Sequence, residues 1–213
     1  MRIAILGAGN VGGTLGRKLA QAGHQIFFGV PNPTGGKAQD LVRALSSRAQ
    51  AGTVAEAAAF GEIIILATPW TATEAAVTTA GEHLRGKALI DATNPLTPDV
   101  TQLDRGFTTS GAEQVAAWAP ETSVFKAFNQ TGWNNMAEPK YGEYAAVMFV
   151  CGDDASRKPE VLRLVADVGF EAVDAGKLTV ARLLEPLAML WIHLAYAQSQ
   201  GRDFAFAMLH RPR

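Results

Sequence analysis

The fold of this chain is decided by residues 2–14, which read Arg2-Ile3-Ala4-Ile5-Leu6-Gly7-Ala8-Gly9-Asn10-Val11-Gly12-Gly13-Thr14. An apolar run precedes glycines spaced as G-x-G-x-x-G, and a helical pattern continues through Ala22. Gly7 permits a tight turn, Gly9 lets a phosphate approach the backbone, and Gly12 lets the helix pack against the strand. The dipole of this helix and the free N–H groups of its first turn then favour binding of an anion at the helix N-terminus. The stretch therefore predicts a strand, a turn and a helix that bind a dinucleotide through Gly7, Ala8, Gly9, Asn10, Val11 and Gly12.

Composition limits the partners that the chain can have. The 213 residues include 19 Lys and Arg against 20 Asp and Glu, a net charge of -1. This balance favours neither nucleic acid nor an anionic membrane, so we expect a small-molecule partner. Cys151 is the single cysteine, and the chain opens on an apolar strand instead of a signal sequence, so we expect a cytoplasmic protein. The apolar stretch 183–197 falls short of the roughly 20 residues of a membrane span, which predicts a buried helix.

Apolar strands alternate with helical segments along most of the chain. Strands are predicted at 3–6, 26–30, 52–54, 62–67, 87–91, 123–128, 145–151 and 170–174. The run 62–67 is apolar on both faces, which is typical of a central parallel strand covered by helices on each side. We therefore predict an α/β fold, a Rossmann-type doubly wound parallel sheet with a small C-terminal helical region. Residues 1–178 would form the dinucleotide-binding domain and residues 179–213 the C-terminal region.

Polar, small and aromatic residues follow three of the predicted strands. They are Thr68, Pro69 and Trp70 after the fourth strand, Asn94 and Pro95 after the fifth, and Asn129 after the sixth. Ligands of open parallel sheets bind beyond the carboxyl ends of the strands, so these residues are expected to line the cofactor cleft. Trp70 either walls the nicotinamide or packs on the following helix. Asn94 either bonds a carboxamide or ribose, or serves the turn before Pro95.

The loop after the second strand bears on the choice of coenzyme. An acidic residue about 20 positions beyond the glycines is typical of NAD binding, whereas a basic or polar pocket is typical of NADP binding. No carboxylate occurs at this strand end, and Asn32, Thr34 and Lys37 are available to a 2′-phosphate. Their alternative role is that of ordinary turn residues and a helix-start lysine. The loop favours NADP, with NAD as the alternative.

The helix predicted at 179–198 is apolar nearly all round. Such a helix is buried. In a chain of this size a second subunit is the simplest means of burying its apolar surface, so we expect a homodimer. One polar stripe, Arg182, Glu185, Met189 and His193, recurs at helical spacing. The stripe either contacts a second substrate in the cleft or is structural, with an internal ion pair and a buried histidine.

Residue patterns for acid–base or metal chemistry are not visible in the sequence. It contains no Ser-His-Asp arrangement, no Tyr-x-x-x-Lys pair and no metal-ligand spacing, so we predict no catalytic side chain and no metal. Transfer of a hydride between two redox coenzymes needs little beyond two stacked rings in a dry cleft, because the coenzymes carry the chemistry. The sequence therefore favours this reaction, and the alternative is a non-catalytic dinucleotide-binding sensor or scaffold.

Motifs along nearly the whole chain carry a family resemblance. They are residues 1–12, Thr68-Pro69-Trp70, Asp91-Ala92-Thr93-Asn94-Pro95-Leu96, Lys126-Ala127-Phe128-Asn129, Cys151-Gly152-Asp153-Asp154 and Leu184-Glu185-Pro186-Leu187. Together they resemble the NADPH-dependent reductases of the deazaflavin coenzyme F420 and, more distantly, the cytosolic domains of the six-transmembrane metalloreductases.

The resemblance implies a particular site. It implies NADP on the glycine turn, Trp70 near the cofactor, residues 129–132 near the nicotinamide, and coenzyme F420 or a flavin as an acceptor held partly by the C-terminal region. The family usually places Ser-Arg or a similar basic pair at the end of the second strand, where this chain has Val30-Pro31. This departure leaves Asn32, Thr34 and Lys37 as substitutes for the basic pair.

Overall fold

The computed structural model describes residues 1–211; residues 212 and 213, which end the predicted C-terminal region, lie outside the described residues. The strands are β1 (Arg2–Leu6), β2 (Gln25–Gly29), β3 (Ala49–Gly52), β4 (Ile63–Leu66), β5 (Ala88–Asp91), β6 (Ser123–Lys126), β7 (Lys140–Tyr141), β8 (Tyr144–Ala145), β9 (Val147–Gly152) and β10 (Glu171–Gly176). The helices are α1 (Asn10–Gln21), α2 (Gly36–Leu45), α3 (Val54–Phe60), α4 (Trp70–Ala80), α5 (Gly111–Trp118), α6 (Trp133–Ala137), α7 (Lys158–Val168) and α8 (Ala181–Ile192).

Eight strands form one sheet in the order β10-β9-β6-β5-β4-β1-β2-β3. Strands β1 to β6 are parallel to one another, and their order is that of a dinucleotide-binding doubly wound sheet. Strand β9 runs antiparallel to β6, and β10 pairs parallel with β9. Strands β7 and β8 form a separate short hairpin. The predicted Rossmann-type α/β fold with a C-terminal helix is confirmed.

Both faces of the central strands are buried. In β1, Ile3 and Ile5 belong to one apolar core, whereas Ala4 and Leu6 belong to the other. Successive side chains of a strand point to opposite faces, so the apolar run places two residues in each of the helix layers that cover the sheet. This explains why β1 and β4 lack a polar face.

The structure corrects two predicted boundaries. Strand β3 ends at Gly52 instead of continuing to residue 54, because Thr53 begins the next helix: its Oγ1 accepts from Glu56 N at 3.2 Å, and Glu56 Oε2 accepts from Thr53 N at 2.7 Å. This reciprocal pair is a capping box. The amphipathic pattern of residues 155–168 predicts a helix, but α7 begins at Lys158, since the Asp154 carboxylate holds the preceding turn by accepting from Ser156 N at 3.0 Å.

The C-terminal helical segment is longer than its sequence suggests. A turn of 3-10 helix precedes α8 and a π-helical turn follows it, so the segment runs from Leu178 to Ala197. The expectation that it falls short of a membrane span is wrong, because its 20 residues are long and apolar enough by length and composition. Core helices of soluble proteins share this length and composition. Only 39% of its most apolar window is buried, and Leu183 and Leu190 are exposed.

Candidate functional site

The three glycines of the first turn have different surroundings. Gly7 has a positive φ of 113° and donates its N–H to Gly29 O at 2.9 Å. A Cβ added at Gly12 would lie 2.1 Å from Gly7 O, whereas one added at Gly9 would meet nothing within 4 Å. Gly7 and Gly12 therefore allow strand, turn and helix to pack closely, and Gly9 faces open space.

The N-terminus of α1 offers donors to a ligand in that space. Gly9 is the N-cap, no side chain caps the helix, and its first turn contains no acidic residue. The first N–H groups of a helix have no intrahelical partner, so those of Asn10 and Val11 are available to an anion that approaches over Gly9. The residues present fit the diphosphate of a dinucleotide.

Two cavities border the glycine turn. One, of about 400 Å³, is lined by Ala8, Gly9, Pro31, Asn32 and Lys37, among others. The other, of about 350 Å³, is bordered by Gly7, Val30, Thr53 and Thr68. Asn32 and Lys37, which are both exposed, therefore lie beside the glycine turn, while Asn32 Oδ1 accepts from Thr34 Oγ1 at 3.0 Å.

Trp70 begins α4 and packs against its neighbours. Its ring centroid lies 5.6 Å from that of Trp118 on α5, and the Arg105 guanidinium carbon lies 5.2 Å above the Trp70 ring. These contacts agree with the alternative in which Trp70 packs on a helix, although its ring is only half-buried. Next to it, Pro69 is exposed and Thr68 Oγ1 is hydrogen-bonded to Thr73 Oγ1 at 3.0 Å. A contact of Trp70 with the cofactor stays a prediction.

Asn94 and Asn129 join the ends of β5 and β6. Asn94 is half-buried, next to the buried Pro95, whereas Asn129 is 4% exposed. The Asn129 amide donates to Asn94 Oδ1 at 3.0 Å and to Leu184 O at 3.1 Å, and its Oδ1 accepts from Gln130 Nε2 at 3.0 Å. Asn129 is thus committed to the protein and positions Asn94, so its predicted part in cofactor binding is at most indirect.

A fully buried ionic cluster lies where β5 and β6 end. Lys126 Nζ lies 2.8 Å from Asp91 Oδ2, 2.8 Å from Glu185 Oε1 and 2.7 Å from Thr93 O, and the three charged side chains are 0% exposed. Burial by itself lowers the pKa of the Lys126 ammonium, but the carboxylates of Asp91 and Glu185 outweigh it and raise the pKa above its ordinary value. Lys126 therefore carries its charge.

Glu185 connects this cluster to α5. Its Oε2 accepts from Gly111 N at 2.8 Å and its Oε1 accepts from Ala112 N at 3.1 Å, so the carboxylate lies at the positive end of that helix. One side chain of α8 is thereby bonded both to the sheet through Lys126 and to α5. The arrangement anchors the C-terminal helix beside the strand ends.

The residues of the polar stripe have different surroundings in the structure. Arg182 pairs with Glu113 of α5, with Nε donating to Oε2 at 2.9 Å, and the hydrogen bond from Arg182 lowers the pKa of Glu113. Arg182 and Glu185 are therefore structural, as one interpretation predicts, although their ionic partners lie on other elements. The prediction of a buried histidine is wrong: His193 is exposed. It borders a cavity of about 630 Å³ together with Met189.

Sequence reasoning missed Asp91 and Lys126 as a pair. The available signal was a charged residue at the end of each of two neighbouring, otherwise apolar strands, together with Glu185 in an apolar helix. Cys151, opposite Lys126 on β9, is equally buried, and burial raises the pKa of its thiol to about 12. That thiol is therefore protonated and unreactive. Within residues 1–211 no group of three or more His, Cys, Asp or Glu residues is placed to hold a metal ion.

Comparison with known proteins identifies the family. A family profile described as "NADP oxidoreductase coenzyme F420-dependent" matches residues 2–95. A crystal structure from Arthrobacter sp. fb24, provisionally assigned as an F420-dependent NADP reductase, superposes with a TM-score of 0.88 at 32% identity, over 99% of this chain and 100% of that one. The chain belongs to the F420-dependent NADP oxidoreductase family.

The chain is also similar to two further proteins. The F420-dependent NADP reductase of Methanothermobacter marburgensis is 28% identical over 208 residues, which are 91% of this chain and 92% of that protein. The metalloreductase STEAP3 of Rattus norvegicus is 30% identical over 192 residues, 89% of this chain, but the match spans only 37% of that protein. The family resemblance, the NADP cofactor and the NADP-dependent oxidoreductase class predicted from the sequence are confirmed.

Proposed function

We propose that this NADP-dependent oxidoreductase transfers a hydride between NADP(H) and a small planar redox acceptor, for which coenzyme F420 or a flavin is the candidate. The observation that carries the proposal is the glycine turn, where Gly9 faces open space above an uncapped helix N-terminus. When bound, the coenzyme supplies or accepts the hydride, so the side chains bind and orient the partners. The described residues then need provide no acid or base of their own.

The 2′-phosphate would be held by the loop after β2. Val30 and Pro31 stand where the family usually carries a basic pair, and neither can bond a phosphate through its side chain. Asn32 and Lys37 border the same cavity as Ala8 and Gly9. An exposed ammonium beside an amide supplies the charge and a donor that a phosphate needs. We therefore assign preference for NADP over NAD to these two residues.

The acceptor would bind beside the C-terminal helix. The cavity of about 630 Å³ is lined on one side by Asp99, Val100 and Thr101 and on the other by residues of the helix that include Met189, His193 and Tyr196. A volume of this size holds a ligand of a few hundred daltons, and aromatic and thioether side chains suit a flat ring. The anchoring of α8 through Glu185 would keep this wall fixed relative to the strand ends.

The C-terminal helical segment exposes apolar side chains that bear on assembly. Leu183 is 69% exposed, Leu190 48% and Tyr196 63%, and all three belong to the C-terminal helical segment. Large apolar side chains exposed together on one element are typical of a subunit interface. We propose a homodimer that pairs through this segment, in the cytoplasm, and without a membrane or nucleic-acid partner.

Titration of the purified protein with NADPH and NADH, followed by addition of coenzyme F420 or FMN, tests the function. We expect NADPH to bind at least tenfold more tightly than NADH, and its absorbance at 340 nm to fall when the accepted compound is added. Tight binding of NADPH without oxidation by any acceptor indicates the sensor or scaffold alternative. Equal affinity for NADH removes the assignment of Asn32 and Lys37.

A further inference from the structure

The buried cluster of Asp91, Lys126 and Glu185 carries a net negative charge. Two carboxylates face one ammonium, and all three side chains are 0% exposed. The backbone N–H groups of Gly111 and Ala112 bond Glu185, so the helix dipole of α5 offsets part of this charge without cancelling it. Nearby, Arg182 and Glu113 form a neutral pair. A net negative charge, smaller than one unit, is therefore fixed inside the protein, where solvent screens it weakly.

The strand register relates this charge to the glycine turn. Leu6 of β1 pairs with Leu66 of β4, Leu66 pairs with Asp91, and Asp91 pairs with Lys126, so the four residues form one row across the sheet. Gly7 follows Leu6 directly. Because neighbouring strands are roughly 4.8 Å apart, Asp91 lies about 10 Å across the sheet from the beginning of the turn.

The two halves of a dinucleotide extend in opposite directions from the diphosphate. The cavity lined by Asn32 and Lys37 lies on the β2 side of the turn and suits the adenosine half. The nicotinamide half must then extend over the ends of β4 and β5, on the side of Asp91. The buried negative charge is thus on the nicotinamide side of the site.

The nicotinamide ring changes its charge with its redox state. The oxidised ring is a cation and the reduced ring is neutral, whereas the phosphates are the same in both forms. A fixed negative charge on that side of the site attracts the cationic ring and leaves the neutral ring nearly unaffected. The cluster can therefore discriminate between the two forms without touching either.

We propose that the Asp91, Lys126 and Glu185 cluster makes the chain bind NADP+ more tightly relative to NADPH, and so favours the direction in which NADPH is oxidised. The inference rests on the proposed NADP site. Preferential binding of the oxidised form makes bound NADPH a stronger hydride donor than free NADPH, since each tenfold change in the ratio of the two dissociation constants lowers the potential of the couple by about 30 mV. The cluster has a positioning and electrostatic role, because its side chains are buried away from any ligand.

Equilibrium binding of both coenzymes to Glu185→Gln tests this inference. The amide has the shape of the carboxylate and keeps one of its two acceptor oxygens for α5 and Lys126, and the cluster becomes neutral. We expect the ratio of the NADPH dissociation constant to the NADP+ dissociation constant to fall by roughly three- to tenfold. Asp91→Asn removes the same charge from β5 and is expected to change the ratio in the same direction.

Glu113→Gln is the matched control, because it removes one negative charge from a half-buried pair that solvent screens. Its ratio is expected to stay within twofold of that of the wild type. An unchanged ratio in folded Glu185→Gln overturns the inference, whereas absence of binding of either coenzyme to the wild type overturns the proposed function instead. If neither variant folds, the two dissociation constants of the wild type test the inference. Binding of NADP+ at least as tight as that of NADPH supports it, and tighter binding of NADPH overturns it.

Discussion

Asn94 and Asn129 are bonded to each other twice, although 35 positions separate them: Asn94 Nδ2 donates to Asn129 O at 2.9 Å, and Asn129 Nδ2 donates to Asn94 Oδ1 at 3.0 Å. The pair closes the gap between the ends of β5 and β6. Because Asn129 Nδ2 also donates to Leu184 O at 3.1 Å, the same side chain ties α8 to the two strands. Asn94, the half-buried member of the pair, is thereby held at the carboxyl ends of β5 and β6.

Substitution Asn129→Ala is expected to destabilise the protein. It leaves Asn94 Oδ1 and Leu184 O without these donors in a buried site, which costs about 1–3 kcal/mol of unfolding free energy. Urea denaturation measures this loss. Asn32→Ala is the control, because Asn32 is exposed and its side chain accepts a bond from the neighbouring Thr34. Equal stability of both variants would show that the Asn94 and Asn129 pair is not structural.

Substitution of Gly9 is expected to affect coenzyme binding, whereas substitution of Gly12 is expected to affect folding. At Gly9 an added Cβ meets nothing within 4 Å, so Gly9→Ala is expected to cost less than about 1 kcal/mol while it lowers NADPH affinity at least tenfold by obstructing the diphosphate. At Gly12 the added Cβ lies 2.1 Å from Gly7 O. Gly12→Ala should therefore destabilise the fold itself, by about 1–3 kcal/mol or more.

Thermal unfolding and NADPH titration of the two variants check this contrast. A stable Gly9→Ala protein with wild-type affinity for NADPH would place the diphosphate elsewhere. A Gly12→Ala protein as stable as the wild type would contradict the close approach of α1 to the turn.

Recognition of the 2′-phosphate is expected to depend on one cation near the start of α2. Lys37 lies in the first turn of α2 and borders the cavity beside Gly9. Lys37→Ala is expected to weaken NADPH binding by about three- to tenfold at low salt and to leave NADH binding unchanged, because only NADPH carries the 2′-phosphate. Arg43→Ala, in the last turn of the same helix, removes a charge away from this cavity.

Isothermal titration with both coenzymes measures these effects. Equal losses for NADH and NADPH would mean that Lys37 supports the loop instead of the phosphate. If Arg43→Ala loses as much NADPH affinity as Lys37→Ala does, the coenzyme responds to the overall positive charge of α2 and not to a contact with Lys37.

The sequence predicted the parallel sheet because each of its signals is local. Six buried strands, the glycine spacing and the helix at Gly111–Trp118 can be recognised from a few consecutive residues. The buried cluster could not be predicted in this way, because Asp91, Lys126 and Glu185 come from three elements and meet only through the strand register and the packing of α8. For the same reason the sequence does not reveal the bond of Asn129 to Leu184, 55 positions away, and a contact of Asn129 with the cofactor stays a prediction.

Acid stability is expected to depend on Asp154. Its carboxylate accepts from Ser123 Oγ at 2.6 Å, from Ser156 Oγ at 2.6 Å and from Arg157 N at 3.2 Å. These hydrogen bonds, that from Ser123 first, lower the pKa of Asp154 from 3.8 to about 2. Because the pKa is lower in the folded state, the contribution to stability is complete above about pH 4 and is lost as the pH falls toward 2.

Urea denaturation of the wild type and of Asp154→Asn between pH 2 and pH 7 checks the sign. The difference between the two proteins should be constant above pH 5 and should shrink as the pH falls from 4 to 2. A difference that does not change with pH over this range would mean that Asp154 is not held as the charged form. Asp40→Asn, an exposed carboxylate on α2, is the control.

The exposed apolar residues of the C-terminal helical segment should govern assembly. Leu183 and Leu190 are seven positions apart and so share one face of α8, where they are 69% and 48% exposed. Leu190→Asp places a charge in the centre of the proposed interface, where burial without a partner is strongly unfavourable. Sedimentation velocity is expected to show a dimer for the wild type and a monomer for this variant. Ala166→Asp adds the same charge to the exposed face of α7 and should remain a dimer. A monomeric wild type, or a dimer that survives Leu190→Asp, would place the subunit contact elsewhere or exclude it, and the exposed leucines would then need another partner.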